Sequence, residues 1–531
     1  MKIQTVHRIT GKHMLQDSVG AAIWLDKPPP KEMIERLQQG MVQLGWSQED
    51  YLVHHHAHGC AVVVSSPPDQ LYTACELLEW AAGKHDNFNT VLQEQQAERN
   101  IKLVELHRHA NQNQWPVFTD EDGLTLGYGK HSVTYPLNDL PAISRLPQET
   151  PKRIPVAYIT GTNGKTTTAR MLAAIMRTSG FTDGLTSSDG VLVRGDWAVK
   201  GDWTGPGAAR IVLRHPEVDC AILETARGGL MRRGLVIDDA DCAAVTNVSA
   251  DHLGYWGLYS STDMANAKLT ISLGVKRGGV LVLNADNEFL VATWEKWKYR
   301  RPDLDVQWFS SKRQGTDLAG CVVDNKVVLF GREIVSVEQI PLSVGGAAIH
   351  NIENAMAAAL LAHQMGATDE QIALGLGALT ATPDDSHGRT NVFQVRGATV
   401  FVDFAHNEDG LRRIVDMAKK IPAKRRLLVI GQAGDRGIEL LHGFATAASK
   451  LNADVYYVKE LPKHKYDACP KMVADQLVDG LLSGGISPDR ILRFPDEVSA
   501  AKQALADIAP GDLLLLLSHE DYAEILALLA T

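Results

Sequence analysis

The run Thr160-Gly161-Thr162-Asn163-Gly164-Lys165-Thr166-Thr167-Thr168 has the residue types and the spacing to hold phosphate. It follows the apolar stretch 154–159 and leads into Ala169-Arg170-Met171-Leu172-Ala173-Ala174-Ile175-Met176, a pattern of strand, glycine turn and helix. Glycines let backbone N–H groups turn inward around phosphate oxygens, and the helix N-terminus adds partial positive charge. Lys165 is spaced to reach β- and γ-phosphates, and the Thr166 hydroxyl suits Mg²⁺. The general phosphate-loop pattern wants glycine at position 159, where this chain has Ile159, so the match is to a variant loop, TGTNGKTT. A chance Gly-Lys-Thr on a surface loop would lack the flanking strand and helix.

Further polar residues fall at the ends of apolar runs. Asp219-Cys220-Ala221-Ile222-Leu223-Glu224 is a strand ending in a carboxylate. In a parallel sheet the ligand crevice lies at the carboxyl ends of the strands, which puts Glu224 beside the phosphate loop, suited to hold Mg²⁺. A second apolar run, 242–248, leads to Ser249-Ala250-Asp251-His252. His252 has the chemistry of a divalent-ion ligand with Asp251 orienting it, and equally that of an ordinary hydrogen-bonded pair. Lys268 on a helix reads, by itself, as a solvated lysine. Asn351 and Asn354 share one helix face, as a helix cap or as carboxamides reading the edge of adenine. His387-Gly388-Arg389, Asp403-Phe404-Ala405-His406-Asn407 and Gly431-Gln432-Ala433-Gly434-Asp435-Arg436 are polar clusters at strand ends or domain joins.

The elements that must carry these groups divide the chain in three. Residues 1–150 are mixed, and Pro141, Pro147, Pro151 and Pro155 mark a linker. From 151 to 391 strands at 154–160, 219–224, 242–248 and 279–284 alternate with helical segments, which implies a mostly parallel sheet with helices on both faces. From 392 to 531 strands at 398–404, 426–430, 454–458 and 512–517 alternate with helices at 410–421, 438–451, 466–482 and 500–508. The expected fold is α/β in three domains: an N-terminal α+β domain (1–150), a central phosphate-loop domain (151–391) and a C-terminal Rossmann-like domain (392–531). No G-x-G-x-x-G is present to indicate a dinucleotide.

Composition sets limits. The formal net charge of −10 argues against nucleic acid as a partner. The six cysteines (60, 75, 220, 242, 321 and 469) lack Cys-x-x-Cys spacing and read as reduced structural thiols, with Cys220 and Cys242 buried. The N-terminus has no apolar signal region and no apolar run is long enough to cross a bilayer, so no membrane association and a cytoplasmic location are expected. His54, His55, His56 and His58 diverge in any regular element, so a surface or packing role is expected of them.

The order of TGTNGKTT, ILETARGGLMRRGL, VTNVSADHLG, HNIENAMAAALLA, HGRTN and DFAHN resembles the muramyl (Mur) ligase superfamily, which includes peptidoglycan amino-acid ligases and folylpolyglutamate synthetase. The segment 201–254 is similar, nearly continuously, to the muramyl-ligase half of the cyanophycin synthetases. The resemblance covers residues 152–440 best. Two departures stand out: 150 residues are too few for the ATP-grasp module that precedes that half, and the family's DYAHNP appears as DFAHNED, with Glu408 replacing proline.

The resemblance implies an ATP-dependent ligase that joins a free amino acid, arginine or another basic one being favoured, to a peptide-like carboxylate acceptor through an acyl phosphate. It implies that Gly161, Thr162, Asn163, Gly164, Lys165, Thr166 and Thr167 bind ATP phosphates, that Thr166 and Glu224 hold one Mg²⁺ and His252 a second, and that Lys268 matches the lysine this family carbamylates, whose anionic oxygen would ligate metal. Lys165, Glu224, His252 and Lys268 are then the catalytic set, and Asn351, Arg389, Asp403 and His406 would meet the nucleotide. A homo-oligomer is a family expectation. Two other readings stay open: a peptidoglycan-type muramyl peptide ligase, and a non-catalytic ATP-binding partner of a full-length synthetase.

Overall fold

The structure is a computed structural model that describes residues 1–146, 148–251, 253–383, 385–434, 437–464 and 473–530. It forms two compact units. The first comprises Met1–Cys321, Leu329–Arg332 and Met356–Gly375; the second comprises Val322–Val328, Glu333–Ala355 and Leu376–Thr531.

The first unit is built on six parallel strands lying side by side in the order Asp183–Thr186, Cys220–Glu224, Val156–Thr160, Ala240–Val245, Val275–Asn284 and Asp305–Ser310. The strand leading into the phosphate loop is thus central, and its two neighbours come from 60 to 90 positions later in the chain. Val156–Thr160 and Cys220–Glu224 are buried at every residue, as parallel strands covered on both faces require. Gly190–Val193 and Asp196–Lys200 extend the sheet as an antiparallel hairpin that the sequence reading missed.

The first 150 residues belong to this unit. Ile3–Ile9, Gly20–Leu25, Gly59–Ser65 and Tyr51–His56 form an antiparallel sheet in that order. Helices Lys31–Gln43 and Leu71–Ala81 cover one of its faces through Leu37, Met41, Leu77 and Trp80. A second, three-stranded antiparallel sheet follows at Val117–Asp120, Gly123–Leu126 and Val133–Tyr135. The histidine run lies on the strand Tyr51–His56: a ring nitrogen of His54 meets the Leu15 carbonyl at 2.8 Å, and His56 and His58 pack against Tyr259.

The second unit holds a six-stranded sheet in the order Asn391–Val395, Ala398–Asp403, Leu513–Leu517, Arg426–Ile430, Val455–Lys459 and Ile491–Phe494. The last five are parallel and the first pairs antiparallel. The expected strands and the helices at 410–421, 438–451 and 500–508 appear as Glu408–Lys420, Ile438–Ser449 and Glu497–Asp507. The helix expected over 466–482 is described from Val473 to Ser483; its first residues lie outside the described ones. Helix Glu408–Lys420 is capped by Asn407, whose side chain accepts from Gly410 N at 2.8 Å, and its last turn carries Lys419 and Lys420, which complement the helix dipole.

Five cysteines, including Cys220 and Cys242 in the strands, are free thiols; Cys469 lies outside the described residues. No helix among the described residues is long and apolar enough to cross a membrane.

One buried ion pair organises the carboxyl edge of the second sheet. Lys459 Nζ meets Glu497 Oε2 at 2.5 Å with both side chains fully buried. Glu497 also accepts from Ser518 Oγ at 2.6 Å, His519 N at 2.8 Å and Asp521 N at 3.1 Å, which holds the loop after Leu513–Leu517. Burial pushes the Glu497 carboxyl up, but the Lys459 ammonium and these donors outweigh it and hold it below the usual glutamate range. An unfolded glutamate titrates near 4.3. Its pKa is therefore depressed on folding, so its contribution is present above the unfolded value and is lost as pH falls through that value toward the lower folded one. Glu497→Ala leaves the ammonium buried without its counter-charge and is expected to destabilise the protein by about 3–5 kcal/mol. Urea denaturation at neutral pH checks this, and the difference from wild type should shrink as the solution is acidified.

Candidate functional site

The loop 160–168 gets its shape from the end of a neighbouring strand. Asn247, two residues past Ala240–Val245, grips one residue of the loop from both sides. Its Oδ1 accepts from Asn163 N at 2.9 Å and its Nδ2 donates to Asn163 O at 2.9 Å. Asn247 O accepts from Thr162 N at 2.9 Å, Thr246 Oγ1 donates to Asn163 O at 2.6 Å, and Thr162 Oγ1 accepts from Ser249 N at 3.0 Å. Asn284, at the end of the next strand, donates to Thr246 O at 3.1 Å and so steadies the clamp.

Two glycines make this path possible. Gly161 passes so near Thr246 that a Cβ would sit 1.9 Å from its Oγ1. Gly164, with φ +83°, is the N-cap of helix Lys165–Thr178 and turns the chain from loop to helix in the left-handed region that favours glycine. The N-terminus of that 14-residue helix faces the loop, the arrangement that binds phosphate. Lys165 Nζ donates to Thr162 O at 3.0 Å.

Glu224 ends the strand beside the loop and is buried, 2% exposed. Its Oε2 accepts from Thr166 Oγ1 at 2.8 Å, and Ser188 Oγ lies 3.3 Å from the same hydroxyl. A buried carboxylate and two hydroxyls at the head of a phosphate-type loop form an oxygen donor set, which fits a hard divalent cation such as Mg²⁺. Ser188 sits in a Ser-Ser-Asp-Gly loop that gave no sequence signal.

Lys268 corrects the reading of its residue type. It is 3% exposed, on helix Ser261–Leu269, which starts with a reciprocal capping box between Ser260 and Asp263. Burial drives its ammonium far below the usual lysine range; Lys165 and Arg227 push the same way and Asp251 opposes them. Lys268, Lys165 and Asp251 are therefore electrostatic neighbours. His252 lies outside the described residues.

In the second unit the predicted residues form their own cluster. Asp403, at the end of Ala398–Asp403, accepts from Thr390 N at 2.7 Å, Thr390 Oγ1 at 3.0 Å and Ala405 N at 2.8 Å. Burial pushes its carboxyl up, while Arg389 and these donors oppose. Arg389 lies over the Phe404 ring at 5.1 Å, and the backbone carbonyl of His406 accepts from Gln432 Nε2 at 2.7 Å. Gln432, from the end of the strand Arg426–Ile430, is thus joined to the loop after Asp403 through His406; Asp435 and Arg436 lie outside the described residues. Asn351 is not part of that cluster. Its Nδ2 donates to Leu342 O at 2.9 Å and its Oδ1 accepts from Asn354 Nδ2 at 3.1 Å, with both residues buried.

Residues 159–362 match the Mur ligase middle domain and residues 388–519 match the Mur ligase glutamate ligase domain. The chain belongs to the Mur ligase superfamily. It is 36% identical over 382 residues to the cyanophycin synthetase of Crocosphaera subtropica, covering 70% of this chain and 43% of that one. The cyanophycin synthetase of Synechocystis sp. is 37% identical over 381 residues, with the same coverage. The chain thus spans less than half the length of these relatives. A UDP-N-acetylmuramoyl-L-alanyl-D-glutamate–2,6-diaminopimelate ligase of Xanthomonas oryzae is 28% identical over 379 residues, covering 69% of this chain and 73% of that one. Among solved structures, FolC of E. coli in complex with DHPP and ADP superposes with a TM-score of 0.52 at 18% identity, covering 71% of this chain and 88% of that chain. A bifunctional folylpolyglutamate synthase/dihydrofolate synthase with Mn, AMPPNP and L-glutamate bound gives 0.51 at 19% identity, covering 71% and 90%. These likenesses show the Mur-ligase-type α/β fold.

Gly161→Ala is expected to abolish nucleotide binding, because the added methyl collides with Thr246 Oγ1. Adding Thr246→Ala removes the obstructing oxygen and should restore part of it. Titration of a fluorescent ATP analogue into both variants checks the pair; equal loss in both would mean that the collision is not the cause.

Proposed function

We propose that this Mur ligase is an ATP-dependent ligase that joins an amino acid to a peptide-like carboxylate acceptor, as the resemblance to cyanophycin synthetases suggests. The observation that carries the reading is the buried Thr166–Glu224 pair at a tertiary-clamped loop, with the buried Lys268 an electrostatic neighbour of Lys165.

The reaction begins when an acceptor carboxylate oxygen attacks the γ-phosphate of ATP, giving an acyl phosphate and ADP. An amine then attacks the acyl carbon, and phosphate leaves. Phosphoryl transfer needs charge neutralised and groups held in line, with little covalent work from the protein. Lys165 and the loop N–H groups, with the helix N-terminus, would hold the phosphates. Thr166 and Glu224 would hold a divalent ion, Mg²⁺ or Mn²⁺, which supplies charge neutralisation on the phosphates when bound.

A neutral Lys268 amine is the form that reacts with CO₂. Carbamylation would turn a buried group that disfavours positive charge into an anion next to Lys165, and family resemblance favours that role. Intact-protein mass spectrometry in bicarbonate checks it: a mass gain of one CO₂ that is absent from Lys268→Ala is expected. Arg389, Asp403 and His406 are proposed to meet the nucleotide. Asn351, occupied with Leu342 and Asn354, would meet it only through its neighbours.

The first experiment is phosphate release from Mg-ATP with paired acceptors (aspartyl peptides, aspartyl-arginine polymer, muramyl peptides, folates) and amino acids, with product mass read in parallel. Release that needs both partners, with a mass gain of one residue, is expected, and Lys165→Ala should reduce it by at least about a thousandfold while leaving the fold intact. Product only with muramyl peptides would favour the peptidoglycan-type ligase. ATP binding without release on any pair would favour a non-catalytic partner of a longer synthetase.

A further inference from the structure

A cavity of about 770 Å³ lies in the first unit, lined by the N-terminal segment and by the helices and connecting segment that flank the central sheet. It is not the phosphate-loop site. Leu235, Val236, Ile237 and Asp238 on its wall precede the strand Ala240–Val245, whereas Thr246 and Asn247, which grip the loop, follow it. Six strand residues span about 20 Å. The cavity therefore opens at the amino edge of the sheet and the loop lies at the carboxyl edge.

Its wall is fixed by close backbone packing. Thr10 N donates to Arg233 O at 2.9 Å and Leu235 N donates to Lys12 O at 2.9 Å. A Cβ at Gly11 would sit 1.8 Å from Leu235 O, so the two segments are in backbone contact.

Four arginines from separate elements line this cavity: Arg8 from the first strand, Arg99 at the end of helix Phe88–Glu98, Arg210 from helix Pro206–Arg214 and Arg233 from helix Arg227–Arg233. The carboxylates on the same wall are already engaged. Asp120 is held by Arg214 at 2.6 Å, Glu121 by Arg8 at 3.1 Å, and Asp17 by Arg300 at 3.1 Å. Glu98 accepts from Tyr72 N at 2.8 Å and Thr73 N at 2.6 Å, Asp69 from Asn100 N at 2.7 Å, and Asp238 lies 3.9 Å from Lys12.

The arginines are less well served. Arg210 comes no closer than 3.7 Å to Asp120, and its buried Nε has no hydrogen-bond partner among the described residues. Arg233 donates to the Arg8 carbonyl at 3.1 Å and, among the described residues, forms no ion pair with a carboxylate. Burial and then the neighbouring Arg8 lower its pKa. Buried guanidinium groups whose pairing is long, as at Arg210, or lacking among the described residues, as at Arg233, are stabilised by an added anion, and their planar forks suit a carboxylate or phosphate. The volume is that of a small-molecule site.

We infer that this cavity is a second binding site, for a small molecule carrying two anionic groups, carboxylate or phosphate, which Arg210 and Arg233 receive while its body lies against Tyr72 and Phe118. This site is independent of the ligase reading, since none of its residues belongs to the phosphate-loop group.

The test is calorimetric titration of the purified full chain with succinate and, separately, pyrophosphate, at constant ionic strength, with neutral succinamide as control and saturating Mg-AMPPNP present. Saturable binding of at least one dianion and none of succinamide is expected. Succinate alone would identify the carboxylate source and pyrophosphate alone the phosphate source. Arg233→Ala should weaken binding about tenfold or more, and Lys165→Ala should leave it unchanged. In the wild-type chain the same dianion should protect Arg233 from phenylglyoxal, read by peptide mass mapping, so that the outcome does not depend on how the variant folds. No saturable binding of either dianion, unchanged binding in Arg233→Ala together with no protection, or loss in Lys165→Ala instead would overturn the inference.

Discussion

The grip of one carboxamide on one peptide unit is what the rest of the phosphate-loop site depends on. Asn247 both accepts from Asn163 N and donates to Asn163 O. A glycine-bearing loop has too much backbone freedom to hold a row of inward N–H groups by itself. Here that freedom is removed by a residue on a different strand, backed by Thr246 and Asn284. Every other group of the site is placed relative to this fixed loop: helix Lys165–Thr178 continues from it, and Glu224 ends the strand on its other side.

Buried charges lie at the carboxyl edges of both sheets. Lys268 and Glu224 occupy that edge in the first unit; Asp403, Lys459 and Glu497 occupy it in the second. A charge out of water is costly unless paired, and the two units meet this cost differently. Lys459 and Glu497 neutralise each other and tie down a loop, a structural solution that holds at every step of any reaction. Lys268 has Asp251 as an opposing charge but two cations as well. Its environment favours loss of the proton, the pattern expected where a side chain is kept reactive.

The alternation of apolar runs and helical periodicity made the parallel sheets readable, because strands buried on both faces, such as Val156–Thr160 and Leu513–Leu517, are continuously apolar. The phosphate loop and Glu224 were readable for the same reason: each follows directly on such a run. The first 150 residues were not, since short antiparallel strands like Tyr51–His56 bury none of their residues fully and carry histidines instead of a clear apolar face. Lys268 was opaque because helical spacing says nothing about what packs over a helix. Asn247 lay in a quoted motif, yet its partnership with Asn163 is tertiary. Asn351 and Asn354 were expected on one face, and they are; what the spacing did not reveal is that they bond to each other and to Leu342.

The order of the strands bears on how such a chain is made. A ribosome has delivered all of TGTNGKTT by residue 168, but the strand that carries it pairs with Cys220–Glu224 on one side and Ala240–Val245 on the other. Its clamp arrives later still, at 246 and 247. During synthesis the loop is therefore a glycine-rich tether without its clamp for some eighty further residues. Long-range parallel pairing of this kind is slow to form and leaves apolar edges open meanwhile. The clamped form of the loop is in this sense a late event in the life of the chain, available only once the strands from the middle of the protein have closed around it.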